Sequence, residues 1–353
     1  MTPTEPQGPL KGLAVIEMGA IGPVPLAGQL LADLGAAVTV IDRAPVPPDP
    51  ALINRRGKGS AVLDLKSVEG LARAREMIGT ADVLLEGFRP GVMERLGLGP
   101  EDCHALNPRL VYGRMTGWGQ DGPLAQTAGH DINYIALTGA LHAIGPGQGK
   151  PVPPLNLLGD YGGGTMFLLF GVLAALYERA SSRRGQVVDA AIVDGVPAMM
   201  SLIHELVARG SWTQAREANW LDGGAPYYAC YETADGRHLA VGALEDPFFA
   251  RLAQGMGLSD DLVANRQDRS RWPEMREAYA AIFRTRSRDE WMAEFGGTDA
   301  CAAPVLTFEE AARDPHMAAR GAFLRQRGVL QAGVAPRFSR TPGGVRPVGR
   351  GEG

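Results

Sequence analysis

The chain has 353 residues, of which 45% are hydrophobic and 21% are charged, which is ordinary for a globular protein and argues against disordered and fibrous classes. At roughly 150 residues per domain, this length predicts two domains or one large one. The 39 acidic residues outnumber Lys and Arg by four, which argues against a dedicated nucleic-acid binder. The three cysteines are far apart and lack metal-binding spacing, so we expect neither a disulfide framework nor a metal site.

Nothing in the sequence predicts secretion or membrane insertion. The first ten residues contain no basic segment followed by an apolar one, as a secretory signal would. The longest apolar run, from Met166 to Leu176, is interrupted by Gly171 and is far shorter than the ~20 residues of a membrane span. We therefore expect a cytoplasmic protein.

Short apolar runs alternate with helical patterns through the first half of the chain. Residues 13–18 predict a buried strand, followed by a glycine turn, a helix over 26–34 and a second strand over 36–41. Further strands are predicted over 60–65, 82–85, 110–115 and 186–191, and further helices over 68–78 and 164–179. This alternation predicts an α/β fold with a Rossmann-like parallel sheet and helices on both faces.

The pattern changes in the second half. Residues 195–221 read as helices without a partner strand, and residues 227–232 and 238–243 flank Asp235-Gly236, which is a hairpin signal. We predict a large α/β domain over 1–190, a helical linker over 191–228, a smaller α+β domain over 229–312, and a return linker and tail over 313–353 that rejoins the large domain.

Basic residues near the first strands are candidates for phosphate binding. The first glycine turn lacks the G-x-G-x-x-G pattern, so we do not expect NAD to bind there. Arg43 directly follows the second strand, where an Arg suits a phosphate on a ribose, although a solvated Arg is equally compatible. The loop 54–59, with Lys66 beyond it, could hold a phosphorylated ligand or be an ordinary solvated loop.

One histidine and one aspartate of this part of the chain are candidates for catalysis. His130-Asp131 follows a glycine-rich stretch, and Asp160 precedes three glycines and an apolar helix. Asp160 could be an N-cap, which is the commoner use of such a residue. It could also be a carboxylate at the mouth of a helix, beside backbone N–H groups that stabilise an oxyanion.

Five motifs occur in one order along the chain: RPGVMERLG at 89–97, MTGWGQDGP at 115–123, GHDINY at 129–134, PLNLLGD at 154–160 and LDGGAPY at 221–227. Together they resemble the family III CoA-transferase superfamily and, within it, the racemase branch. The resemblance extends from about residue 10 to about residue 340.

The resemblance implies an interlocked homodimer whose site lies between the large domain of one chain and the small domain of the other. His130 and Asp160 match the two bases, and the partner subunit's Glu245 supports the histidine. The remaining matched positions contact CoA; they are Arg43, Leu63, Asp64, Leu65, Lys66, Arg89, Arg95, Gly129, Asp131, Ile132, Asn133 and Tyr134.

The implied reaction interconverts (2R)- and (2S)-2-methylacyl-CoA thioesters by moving a proton through an enolate. A base on one face and an acid on the other suit that chemistry, and no cofactor is needed beyond the CoA of the substrate. By resemblance, His130 takes the proton of the S form and Asp160 that of the R form. Candidates for an apolar acyl-chain surface are Met115, Met166, Met199 and Met200.

Two alternatives remain open at this stage. A true CoA-transferase of the same fold would use Asp160 as a nucleophile that forms an acyl anhydride and then a CoA thioester. A CoA-binding protein without chemistry is the other, and the presence of His130, Asp160 and Glu245 argues against it.

Overall fold

The computed structural model describes residues 7–47 and 49–347, so the expectations about the first six and the last six residues lie outside the described chain. The chain divides into two compact units. The first contains the chain up to Thr138, Pro154–Met200 and the chain from Ala312 onward. The second contains Gly139–Pro153 and Ser201–Ala311, so the segment 139–153 clusters with later residues.

The first unit is built on a parallel sheet of six strands, which confirms the predicted α/β fold. Its order is β3-β2-β1-β4-β5-β6. The strands are β1 (Ala14–Met18), β2 (Ala37–Asp42), β3 (Lys58–Val62), β4 (Val83–Glu86), β5 (Val111–Thr116) and β6 (Val187–Ala191). β3 begins two residues before the predicted segment because Val38 of β2 pairs with Lys58.

Helices cover both faces of this sheet because side chains alternate along each strand. The helices of this unit are α1 (Pro23–Asp33), α2 (Val68–Thr80), α3 (Val92–Arg95), α4 (Pro100–Leu106), α5 (Asp131–Leu137), α6 (Phe167–Ser182), α7 (Ile192–Met199) and α14 (Pro315–Ala319). Leu84 and Tyr112 pack in one cluster with Ile78 of α2. On the other face, Leu168 and Val172 of α6 approach Gly113 closely, since a Cβ atom there would lie 3.0 and 3.3 Å from their side chains.

A ten-residue π-helix, Leu157–Met166, precedes α6 without a break. The sequence predicts a helix only from residue 164, because three consecutive glycines disfavour helical structure. Asn156 is the N-cap of the π-helix and Asp160 lies inside it, so the N-cap interpretation of Asp160 is wrong.

Together these helices form one stretch, Leu157–Ser182, that is long and apolar enough to cross a membrane by length and composition alone. It is longer than the apolar run seen in the sequence because the glycine-rich segment is helical too. A core helix of a soluble protein passes the same test; here 33% of the apolar window is buried, with Leu168 and Val172 fully so.

The second unit is a smaller α+β structure, as predicted. An antiparallel sheet has the order β7-β8-β9, with β7 (Tyr228–Glu232), β8 (His238–Gly242) and β9 (Ala302–Pro304). The hairpin signalled by Asp235-Gly236 is confirmed by the pairing of Glu232 with His238. The helices are α8 (Ser201–Ala208), α9 (Asp246–Met256), α10 (Asp260–Ala264), α11 (Trp272–Phe283), α12 (Arg288–Phe295) and α13 (Phe308–Ala311). Large buried aromatic side chains, among them Trp272, Phe283 and Trp291, fill its core.

The chain then returns to the first unit through an antiparallel hairpin that the sequence did not predict, β10 (Phe323–Gln326) and β11 (Val329–Ala332). Arg56, which is 1% exposed, joins this hairpin to the unit. Its guanidinium donates to both carboxylate oxygens of Asp33, at 3.0 and 2.5 Å, and to Gln331 Oε1 at 2.9 Å and the Ala332 carbonyl at 2.7 Å.

Candidate active site

A cavity of about 560 Å³ opens in the first unit at the carboxyl ends of β1, β4, β5 and β6. β1 and β4 are neighbours from which the chain continues toward opposite edges of the sheet, and α/β proteins bind ligands at such a switch point. The lining comes from 21–24 after β1, 87–90 after β4, 115–118 at the end of β5, Ile192 after β6, and Ala125, 127–130, Tyr134 and Asp160. His130 and Asp160 therefore face one cavity.

Asp160 is half-buried and held by its neighbours. Its backbone N–H donates to Asp131 Oδ1 at 2.7 Å, and its carboxylate accepts from Asn156 Nδ2 at 3.4 Å. A Cβ atom at Gly22 would lie 3.7 Å from Asp160 Oδ2, so the carboxylate faces the backbone just before α1. Burial raises the pKa of Asp160, and the charge of Asp131 raises it further, against the opposing effects of the Asn156 hydrogen bond and of His130.

His130 is exposed and stands at the start of α5, where it is the N-cap residue. Its backbone N–H donates to Asn133 Oδ1 at 3.0 Å, and its carbonyl accepts from the Asn133 N–H at 2.8 Å. These two bonds fix the backbone from which the imidazole extends into the cavity.

Glu245 belongs to the second unit. It is exposed and is the N-cap residue of α9. The structure contains a single chain, so Glu245 of the partner subunit as a support for His130 stays a prediction.

The residues matched to CoA contacts fall into groups along the carboxyl edge of the sheet. Arg43 follows β2 and is exposed, and Leu63 follows β3, where its N–H donates to the Asp42 carbonyl at 2.9 Å. The Lys66 ammonium group is exposed beyond them, and Asp64 Oδ1 accepts from the Lys66 backbone N–H at 3.0 Å.

Nearer the reacting centre, Arg89 lines the cavity. Arg95 is exposed at the end of α3 and is not part of the cavity lining. In α5, Asp131 is buried and Ile132 is 44% exposed.

The cations of the loop 54–59 do not form a phosphate site. Arg55 pairs with Asp42 at 2.6 Å, Arg56 with Asp33, and Lys58 with Glu17 at 2.5 Å. The side chains of Arg56, Lys58, Asp33 and Glu17 are no more than 2% exposed, and burial raises the pKa of Glu17 to about 7. This basic loop is therefore neither a ligand site nor a solvated surface, because each cation already has an acidic partner.

Several lining residues were not singled out from the sequence. Trp118 belongs to the cavity wall, and its indole N–H is buried without a hydrogen-bond partner among the described residues. Ile192 and Val24 add apolar surface. Trp118 lies inside one of the five motifs, which was the only signal for it. Of the four methionines considered for the acyl chain, Met115 is the one in this lining.

Within the part of the chain that the structure describes, no group of three or more His, Cys, Asp or Glu side chains is placed to hold a metal ion.

Comparisons with known proteins agree with this geometry. The sequence pattern of CoA-transferase family III matches residues 10–349. The alpha-methylacyl-CoA racemase of Mus musculus is 45% identical over 334 residues, which covers 94% of this chain and 87% of that protein. The succinyl-CoA–D-citramalate CoA-transferase of Chloroflexus aurantiacus is 35% identical and covers 98% of this chain and 91% of its own.

Among solved structures, a CaiB/BaiF family protein from Brucella suis superposes with a TM-score of 0.80 at 27% identity, covering 98% of this chain and 96% of its own. The family match spans both units, and the structural match spans nearly the whole chain. The protein therefore belongs to CoA-transferase family III.

Proposed function

We propose that this protein is a racemase that interconverts (2R)- and (2S)-2-methylacyl-CoA thioesters by 1,1-proton transfer. The observation that carries the proposal is that His130 and Asp160 line one cavity at the switch point of the sheet. The 45% identity to a racemase over most of both chains supports the choice of reaction within the family.

The two groups suit a reaction that must run in both directions. One base removes the proton on the α-carbon while an acid on the opposite face returns one, and each group takes the other role in reverse. An unperturbed carboxyl group is a weak acid catalyst near neutral pH because it is almost entirely ionised. Burial raises the pKa of Asp160 and thereby brings it nearer the working range.

The enolate intermediate carries negative charge on the thioester oxygen. Gly22 and Val24, at the start of α1, line the cavity, so the positive end of this 11-residue helix is directed toward it. Such a fixed dipole stabilises charge that develops during the reaction. We propose no cofactor besides the CoA of the substrate.

The CoA part of the substrate would lie along the carboxyl edge of the sheet. Arg43 and Lys66 follow β2 and β3, whereas Arg89 follows β4 beside the cavity. From β3 to β5 the sheet has four gaps, about 19 Å at the usual strand spacing. An elongated ligand with phosphates at one end and a thioester at the other fits this arrangement of charges.

We further propose a homodimer in which the partner subunit's Glu245 supports His130. One face of α6 supports an interface, since Phe170, Leu173 and Tyr177 are spaced for one side of a helix and are 73%, 41% and 84% exposed. Contiguous exposed apolar side chains of this kind mark sites of association.

The proposed reaction is tested with a single enantiomer of 2-methyldecanoyl-CoA in D₂O, followed by proton NMR without any acceptor acid. We expect the α-proton signal to disappear while the other enantiomer forms. His130→Ala and Asp160→Ala should each abolish racemisation, while Arg73→Ala, a change on the exposed face of α2, should leave it intact.

The same measurement separates the alternatives. If the α-proton stays and CoA moves only after a free carboxylic acid is supplied, the protein is a transferase and Asp160 is its nucleophile. If neither change occurs while CoA still binds, the protein binds CoA without catalysis.

A further inference from the structure

Tyr134 braces the peptide that carries His130. Its hydroxyl donates to the Gly129 carbonyl at 2.5 Å, and Gly129 directly precedes His130. The ring meets Trp118 edge-on, with centroids 4.7 Å apart and planes at 84°. The hydroxyl hydrogen of Tyr134 is therefore already engaged within the chain, although the side chain also lines the cavity.

Two glycines make room for this ring. A Cβ atom at Gly117 would lie 2.0 Å from the Tyr134 ring, and one at Gly129 would lie 2.7 Å from it and 3.0 Å from the Trp118 ring. Real Cβ atoms do not approach other atoms this closely, so any side chain at Gly117 would push the Tyr134 ring away.

The remaining bonds at this point hold the start of α5, where His130 and Asn133 form a capping box. The carbonyl of His130 accepts from the Asn133 and Tyr134 N–H groups at 2.8 and 3.3 Å, which anchors the start of α5. The peptide on the other side, between Gly129 and His130, is oriented by the Tyr134 hydroxyl. The orientation of this peptide sets the direction in which the His130 side chain leaves the backbone.

We propose that Tyr134 is a positioning residue that aims the His130 imidazole at the α-proton through the Gly129 carbonyl, with Trp118 packed against its ring and Gly117 leaving room for it. This inference rests on the proposed function. Asp160 is held by other hydrogen bonds, to Asp131 and Asn156. Loss of the Tyr134 hydroxyl should therefore affect one base and spare the other.

The test variant is Tyr134→Phe, which keeps the ring and removes the hydroxyl. The readout is exchange of the α-proton for deuterium without inversion, measured separately on each enantiomer in D₂O, since a single base can remove and return a proton on its own face. The enantiomer served by His130 is identified first, as the one whose exchange His130→Ala abolishes.

For that enantiomer we expect Tyr134→Phe to slow exchange, and kcat for inversion, about ten- to a hundredfold, the usual effect of a misplaced catalytic group. Exchange of the enantiomer served by Asp160 should stay within about twofold, because the hydrogen bonds of Asp160 to Asp131 and Asn156 do not involve the Tyr134 hydroxyl.

A matched control is Tyr112→Phe. The Tyr112 hydroxyl also donates to a backbone carbonyl, that of Leu98, at 2.8 Å, but it is buried in the sheet core and is not part of the cavity lining. This variant should keep both exchange rates. Gly117→Ala is a second test, because it displaces the ring while the hydroxyl remains, and it should reproduce the one-sided loss.

Three results for Tyr134→Phe would each overturn the positioning role. They are an equal loss of exchange rate for both enantiomers, a rise of KM alone, and exchange rates like those of the unchanged protein. Absence of α-proton exchange in the unchanged protein is a different result: it refutes the proposed racemase itself, whatever the variants do.

Discussion

Asp131 and Asp160 have different tasks although both are carboxylates near the cavity. Asp160 faces the cavity, whereas Asp131 is 9% exposed and accepts the backbone N–H of Asp160. The negative charge of Asp131 adds to burial in raising the pKa of Asp160. Asp131 therefore both orients the second proposed base and tunes its proton affinity.

The variant Asp131→Asn should lower the pKa of Asp160, because the amide oxygen still accepts the N–H while the charge is gone. In the direction where Asp160 is the base, activity falls as the pH drops through this pKa. The acidic limb of the pH profile should therefore move to lower pH. In the reverse direction Asp160 must be protonated, so activity at neutral pH should fall. The check is kcat/KM against pH for each enantiomer.

Asp121→Asn, an exposed change outside the cavity lining, serves as the control and should leave both profiles in place. Profiles of Asp131→Asn that match those of the unchanged protein would mean that Asp131 acts on Asp160 through geometry alone.

Individual site residues could be predicted from the sequence where they lie in long motifs. Ion pairs could not be predicted where the two residues are far apart along the chain. His130 and Asp160 could be named from their motifs, and the structure brings both to one cavity. The pairing of Arg56 with Asp33, and that of Lys58 with Glu17, joins residues 23 and 41 positions apart. A local reading of the loop 54–59 therefore could not distinguish internal ion pairs from a ligand site.

Among the elements, the π-helix Leu157–Met166 and α7 cross at a contact between two glycines. A Cβ atom at Gly195 would lie 2.0 Å from the Gly163 carbonyl oxygen, and one at Gly163 would lie 2.6 Å from Val196. The same glycines that disfavour a helix in isolation thus permit a close approach of two helices, and this approach holds Asp160 at the cavity. Local propensity predicted the parallel strands well but missed this helix, because its stability depends on packing.

Gly195→Ala should therefore destabilise the first unit by about 1–3 kcal/mol, the usual cost of overpacking, and reduce racemisation by shifting Asp160. The measurement is the denaturant midpoint by circular dichroism together with the rate of inversion.

Gly79→Ala is the matched control, since Gly79 lies in α2 with open space around its Cα. It should stabilise by about 0.4–1 kcal/mol through the unfolded state. If Gly195→Ala behaves like this control, the glycine contact does not constrain the two helices.

For the whole molecule, the exposed apolar face of α6 bears on assembly. Phe170→Glu places a charge in the proposed interface, where burial without a partner is costly. We expect the molar mass from light scattering to fall from dimer to monomer, and racemisation to be lost with the partner's Glu245.

Val68→Glu, in a side chain that is 80% exposed on α2, is the corresponding control and should preserve mass and activity. A Phe170→Glu protein that stays dimeric and active would show that subunits associate through another surface. The prediction of a second domain came from the change of strand and helix pattern along the chain, but nothing in the sequence indicated that residues 139–153 cluster with Ser201–Ala311. The sequence also could not reveal the β10–β11 hairpin, whose short strands resemble ordinary loop sequence.

The hydrogen bonds of Arg56 also bear on the order in which the protein folds during synthesis. Its partners Gln331 and Ala332 follow it by 275 and 276 residues. At about 5–20 residues per second, the ribosome delivers them between a quarter of a minute and a minute later. In that interval the continuous segment Ser201–Ala311 can complete its own core. The unit that contains the cavity is therefore the first to be synthesised in part and the last to complete its hydrogen bonds.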